Sequence, residues 1–284
     1  MQYDISASAL EQLVKGISIP PQPTAMIQIS AEKRKEEPDL KKIIDIISSD
    51  VSLSAGTLKT INSSLFGLRN KVTSIATALN ILGLKNIFNI VSCMCLRMAF
   101  KSLRPDFMTK FWDRSHQVAT ICAALTRMIP NLGIKADEAY TLGLFHNCGV
   151  PLMMQKFPKY IDVELLGRQV LQNETALSHE EKLYGTNHCV VGYFMARSWM
   201  ISEEICDGIL HHHDLENSPM NNNKTKVMVA LLRLAIHYSD SYQRFAETFE
   251  WKAAKGNLLS YLGLTEAEYE EYRADIKEML AEGI

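Results

Sequence analysis

The helical spacing of apolar residues narrows most what this chain can become. Leu84, Ile87, Phe88, Val91, Met94 and Cys95 recur at intervals of three and four, which places them on one side of a helix. Val51, Ala55, Leu58 and Ile61 repeat the pattern. No set of alternating apolar and polar runs marks strands, and no fixed-period repeat is visible. The spacing therefore predicts an all-α fold.

Breakers are few, with 14 glycines and 9 prolines in 284 residues, so they punctuate helices instead of dissolving them. Pro20-Pro21-Gln22-Pro23 separates a short first helix from the second. Leu103-Arg104-Pro105-Asp106 ends a long helix begun near Leu84. Ser178-x-x-Glu181 and Thr265-x-x-Glu268 have the form of capping boxes that open helices. Residues 217–224 read as a polar loop. This punctuation divides the chain into an N-terminal helical lobe over 1–104, a helical core over 105–245 and a helical tail over 246–284. With no Gly/Ser-rich or charged linker visible, packed lobes are expected.

Composition removes several function classes. Thirty Lys and Arg stand against 32 Asp and Glu, a formal charge of −2, which argues against a general nucleic-acid or anionic-membrane binder. The basic cluster Lys33-Arg34-Lys35 with Lys41-Lys42 is interleaved by Glu32, Glu36, Glu37 and Asp39 and reads as a solvated helix face. The six cysteines form no C-x-x-C pair, so a zinc ribbon or dithiol redox site is disfavoured and buried free thiols are expected. Cys148 has no sequence-placed base that would make it a nucleophile. Met94, Met98, Met153 and Met154 read as core filling. The first residues lack a basic and then apolar leader. The most apolar stretch, 87–100, is interrupted by Asn89, Ser92 and Arg97, so no membrane span is expected and a cytoplasmic location is inferred.

The chemistry-bearing residues are histidines. His116, His146, His188, His211, His212 and His213, together with Asp240, fall in expected helices or at their ends. Imidazoles and carboxylates from several packed helices can converge on one cavity and hold a metal. A single helical histidine is more often structural, so number and placement carry the signal.

The order of short motifs is more specific. Trp112 to Ala119 resembles the first-histidine helix of HD-superfamily proteins, and Gly143-Leu144-Phe145-His146-Asn147-Cys148-Gly149 resembles their His-Asp doublet segment. Tyr184 to Gly192 followed by Trp199, and Ile209-Leu210-His211-His212-His213-Asp214, resemble motifs of the HDOD family within it. So do Ile19 to Pro23, Ile47 to Leu53 (with Val51 where proline is usual), Asn62 to Gly67, and Ser74 to Gly83. Together they run over roughly residues 17–245. The resemblance implies an HD-like helical scaffold of bacterial signal transduction, in which many members serve as scaffolds or sensors. It also implies a candidate metal set: His116, His146, Asn147, His188, His212, His213 and Asp240. Asp240 closes Leu234 to Asp240, which is similar to the family's late aspartate helix; a surface carboxylate is the other reading.

The doublet departs from the pattern at one decisive atom. Related phosphodiesterases place an aspartate where Asn147 stands. An amide offers a carbonyl oxygen but neither charge nor a useful basic state. The lysine that follows the doublet in active relatives is absent from Cys148-Gly149-Val150-Pro151. His116, His146 and Asp240 could then form one single-ion site, and His188 with His212 or His213 a second. Three readings stay open: a hydrogen-bonded polar core, a partial site for a divalent transition metal, and a working metal-dependent phosphohydrolase acting on a nucleotide or cyclic dinucleotide. The leading expectation is a non-catalytic HDOD signalling or scaffolding protein. It would act through protein partners, with a small ligand or ion in the vestigial cavity and self-association left open. If His116, His146 and Asp240 converge, Asn147→Asp should raise metal affinity.

Overall fold

Helices in this protein start where the sequence supplies an oxygen to their first free N–H groups. In the computed structural model, Asp39 accepts from Lys42 N and Asp50 from Leu53 N, at 3.0 and 2.9 Å. Ser74 accepts from Thr77 N at 3.1 Å and Asn187 from Val190 N at 3.0 Å. Thr265 and Glu268 cap each other's backbone reciprocally, as the spacing predicts. The structure describes residues 14–63, 68, 70–100, 103–160, 176–215, 222–244 and 249–282. The expected short first helix and most of the polar 217–224 loop lie outside these residues, as does part of the Asn62 to Gly67 motif.

Among the described residues the regular structure is helical throughout: α1 (Thr24–Lys33), α2 (Leu40–Ser49), α3 (Val51–Ile61), α4 (Ile75–Ala99), α5 (Pro105–Met128), α6 (Ala136–Phe145), α7 (Gly149–Lys156), α8 (Ala176–Tyr184), α9 (His188–Ser198), α10 (Glu203–His211), α11 (Asn223–Arg244), α12 (Phe249–Leu262) and α13 (Glu266–Ala281). The all-α, HD-like reading holds. One cluster of buried apolar side chains extends from Met26 in α1 to Ile276 in α13.

Gly83 adopts φ 77° and breaks α4, so its regular second half starts at Leu84, where the apolar spacing begins. By length and composition α4 could cross a membrane, but more than half of its most apolar window is buried inside the protein. Ile87, Phe88, Val91 and Cys95 face the core.

Several local expectations are corrected by packing. In α3 the buried row is Leu53, Thr57, Thr60 and Ile61, while Val51 is 81% exposed. Met94 lies against Gly56, and this contact with α4 turns a different row inward. Met98 is exposed instead of filling the core, unlike Met153 and Met154. Ser178 is inside α8, which is already helical at Ala176, so it does not open that helix. Glu32 is not on a solvated face. It is buried and holds Lys35 and Lys42 at 2.7 and 2.8 Å, while Lys33 lies over the Phe88 ring.

Close backbone approaches set the middle of the molecule. A Cβ at Gly143 would stand 2.6 Å from Ala119 Cα, so glycine lets α6 cross α5 closely. A Cβ at Gly149 would fall 2.0 Å from the carbonyl oxygen of His188, which fixes the start of α7 against the start of α9. Glu138 on α6 ties α4 and α11 together through Lys85 at 2.6 Å and Lys224 at 2.8 Å. Burial opposes its charge, but the two ammonium groups bring it down to about 2. The prolines before α1 are also anchored: Trp199 Nε1 donates to Pro20 O at 3.2 Å, and Gln22 donates to Trp199 O at 2.7 Å.

Candidate metal centre

Four imidazoles meet where the doublet turn, the start of α9 and the end of α10 come together. The His146 ring centroid is 5.3 Å from that of His212. His188 lies 5.4 Å from His212 and 5.2 Å from His213, and His212 and His213 are 4.3 Å apart. His146, His188 and His212 are buried, and His213 is at the rim.

Each ring is held through Nδ1 by an oxygen. His146 Nδ1 donates to Gly143 O at 2.6 Å and His212 Nδ1 to Ile209 O at 2.7 Å. His213 Nδ1 donates to Glu250 of α12 at 2.8 Å. His188 Nδ1 is 2.9 Å from both oxygens of Glu180, whose carboxylate also accepts from His188 N and from the Tyr160 hydroxyl, each at 2.7 Å. Carbonyl and carboxylate oxygens accept only, so these contacts put a proton on every Nδ1 and leave Nε2 as the nitrogen that faces the cluster, where His188 Nε2 meets the Cys189 sulfur. Such outer contacts orient imidazole ligands in metal sites.

Charge follows the same division. Burial pushes His146 down to about 3, and the nearby Arg114 cation adds to this. Burial and the neighbouring imidazoles hold His212 well below the usual range. Both rings are therefore neutral lone-pair donors at neutral pH. Burial also disfavours a charged His188, but Cys189 and then the Glu180 carboxylate outweigh it and raise His188 well above the ordinary range.

Cys189 completes the group. One nitrogen from each of His188, His212 and His213 and the Cys189 sulfur all lie within 4.8 Å of one another. Sγ is 3.6 Å from His188 Nε2 and 4.0 Å from His212 Nε2. Three imidazoles and a thiol are a donor set that fits one transition-metal ion.

The remaining candidates have other partners. His116 is at the surface and its Nδ1 pairs with the Tyr140 hydroxyl at 3.0 Å. Asp240 is buried and bound by Arg114 at 2.7 Å. Asn147 is half-buried in the turn between α6 and α7, and its backbone carbonyl accepts from Val150 N. This half of the site offers a metal no uncommitted anion among the described residues, and it fits an ion poorly. His211 is buried but lies outside the converging group. All six cysteines are buried and free. Cys148 donates to Gly192 O at 3.5 Å, and burial raises its thiol pKa, which suits packing and not nucleophilic attack.

Sequence reasoning missed Cys189, Glu180, Glu250 and Arg114. The adjacent His188-Cys189 pair was the available signal for the thiol. The carboxylates and the arginine had none, because their partners are eight to 126 positions away.

Relatives agree with this architecture. Over 222 residues the chain is 23% identical to an uncharacterized protein of Treponema pallidum, covering 78% of this chain and 43% of that protein. It is 30% identical over 107 residues to the uncharacterized YuxH of Bacillus subtilis, covering 38% of this chain and 24% of that one. The chain thus spans less than half the length of these curated relatives. Among solved structures, an HDOD domain protein of unknown function from Geobacter sulfurreducens superposes with a TM-score of 0.70 at 23% identity, covering 96% of this chain and 94% of that one. A Shewanella amazonensis protein, provisionally named a phosphohydrolase, gives 0.70 at 20% identity with the same coverages. A Marinobacter aquaeolei protein, provisionally named for signal transduction, gives 0.68 at 21%, covering 96% and 64%. At such identities the likeness speaks for the fold alone. The HDOD domain profile matches residues 19–215, more than two thirds of the sequence, and the chain belongs to the HDOD domain family.

Proposed function

We propose that this chain is a non-catalytic HDOD signalling or scaffolding protein that holds a single divalent transition-metal ion at the cluster of His188, His212 and His213 and acts through protein partners. The observation that carries this reading is the convergence of one nitrogen from each of His188, His212 and His213 within 4.8 Å, with all four clustered rings anchored through Nδ1 by oxygens. A hydrogen-bonded polar core alone would not require that common orientation.

The case against catalysis rests on charge. A two-ion hydrolytic centre needs a bridging anion to hold both ions and to polarise the attacking water. Asn147 supplies none, and Asp240 is neutralised by Arg114. In this reading the Arg114 guanidinium supplies the positive charge that a second ion would otherwise bring. A bound ion would supply a rigid cross-link between the start of α9 and the end of α10, and would stabilise the fold by mass action. His146 packs on His212 and keeps its ring in place.

The test is metal analysis of the purified full chain, combined with phosphodiester hydrolysis assays on an activated aryl phosphodiester and on cyclic dinucleotides. One ion per chain and no turnover are expected. Two ions per chain, with turnover abolished by His146→Ala, would establish the phosphohydrolase reading instead.

A further inference from the structure

Cys189 is the odd donor in an otherwise imidazole site, and its position gives the site a chemical preference. It is the second residue of α9, directly after His188, and its neighbours are set by the Gly149–His188 backbone contact. The side chain is 1% exposed. Two ligands of one tetrahedral zinc ion, at about 2.0 and 2.3 Å from it, are separated by roughly 3.6 Å. The Cys189 sulfur stands 3.6 Å from His188 Nε2, and on His212 it is 3.4 Å from Nδ1 and 4.0 Å from Nε2. The sulfur–His188 separation is that of two ligands of one ion.

We infer that Cys189 is a direct thiolate ligand of the ion, and that it makes this a site for zinc or cobalt(II) in preference to manganese or magnesium. The inference rests on the metal-binding reading above. Soft sulfur ligands favour the later, more polarisable ions, whereas hard ions want oxygen donors, and this cluster has no carboxylate among its converging atoms. The step is balanced: the S–H bond breaks, a sulfur–metal bond forms, and the thiol proton passes to solvent. Glu180 and Glu250, which lie close by, are positioning residues that act through His188 and His213.

Cobalt(II) distinguishes the cases, because a thiolate–cobalt bond produces an intense near-ultraviolet charge-transfer band that imidazole alone does not. The full-length protein, stripped by a chelator, is titrated with cobalt(II) and then with zinc(II) or manganese(II). The expected result is one equivalent of cobalt with the charge-transfer band, displaced by stoichiometric zinc and not by a large excess of manganese. Cys189→Ser should lose the band and weaken zinc binding by about a hundredfold, while manganese binding changes by less than about threefold. Cys189→Ala, checked for native circular dichroism, separates ligand loss from misfolding. Stoichiometric cobalt without the band would overturn the thiolate assignment and leave the histidine centre standing. No bound cobalt at all would overturn both.

Discussion

The two halves of the histidine region are built in opposite ways. On one side His188, Cys189, His212 and His213 converge, with their rings held by Glu180, Ile209 O and Glu250. On the other, Asp240 is bound to Arg114, His116 leans on Tyr140, and the doublet carries Asn147. His146 is the hinge between them, stacked edge-on against His212 and within the field of Arg114. The difference teaches that counting retained histidines is a poor guide to a metal site. What separates the halves is whether the charged neighbours serve the ligands or neutralise them.

The strongest way to break this comparison is to remove the arginine. Arg114→Met strands the buried Asp240 carboxylate and should cost about 3 kcal/mol by urea unfolding. Adding Asn147→Asp should then let a second divalent ion bind and restore part of that loss, as read by metal stoichiometry. Asn147→Asp alone should leave the stoichiometry at one. A second ion bound by that single variant would show that Arg114 does not stand in for the ion.

A backbone clash attacks the other half. Gly149→Ala pushes a Cβ against the His188 carbonyl, so α7 and α9 must separate. A loss of about 3 kcal/mol is expected, together with weakened metal binding. Unchanged stability would mean that this contact does not set the cluster.

Glu180→Gln is gentler, since it keeps the shape and removes the charge behind His188. Metal affinity should fall by between about tenfold and a hundredfold with the fold retained. Competition against a chelator measures this directly, and an unchanged affinity would remove Glu180 from the centre.

The smallest effect at neutral pH lies where α11 packs on the tail helices. His237 stacks on Trp251 at 3.9 Å and bonds the Tyr269 hydroxyl at 2.8 Å. Burial brings it down to about 4. The unfolded chain therefore binds the extra proton first, so this contribution is full above pH 6.5 and is lost as pH falls through about 4. His237→Phe should flatten that part of the acid unfolding profile. An identical profile would show that another group governs it.

How far the sequence could be read depended on how local the determining interactions are. The second half of α4 from Leu84 and the capping box at Thr265 were legible, because periodicity and capping act within a few residues. The buried row of α3 was not, because two apolar rows compete and only contact with Met94 selects one. The histidines were found by motif order, and Cys189 stayed hidden among six similar thiols until the fold placed its sulfur beside two imidazoles.

By itself the sequence determined the helical class, the family scaffold and the missing charge at Asn147, since side-chain spacing and chemical identity are written residue by residue. Only the tertiary structure decided that Arg114 takes Asp240, that Glu250 reaches back from α12 to His213, and that Cys189 joins the cluster. Electrostatic pairing and ligand convergence depend on distances of a few ångströms between residues far apart in the chain, and those distances are set by how the helices pack.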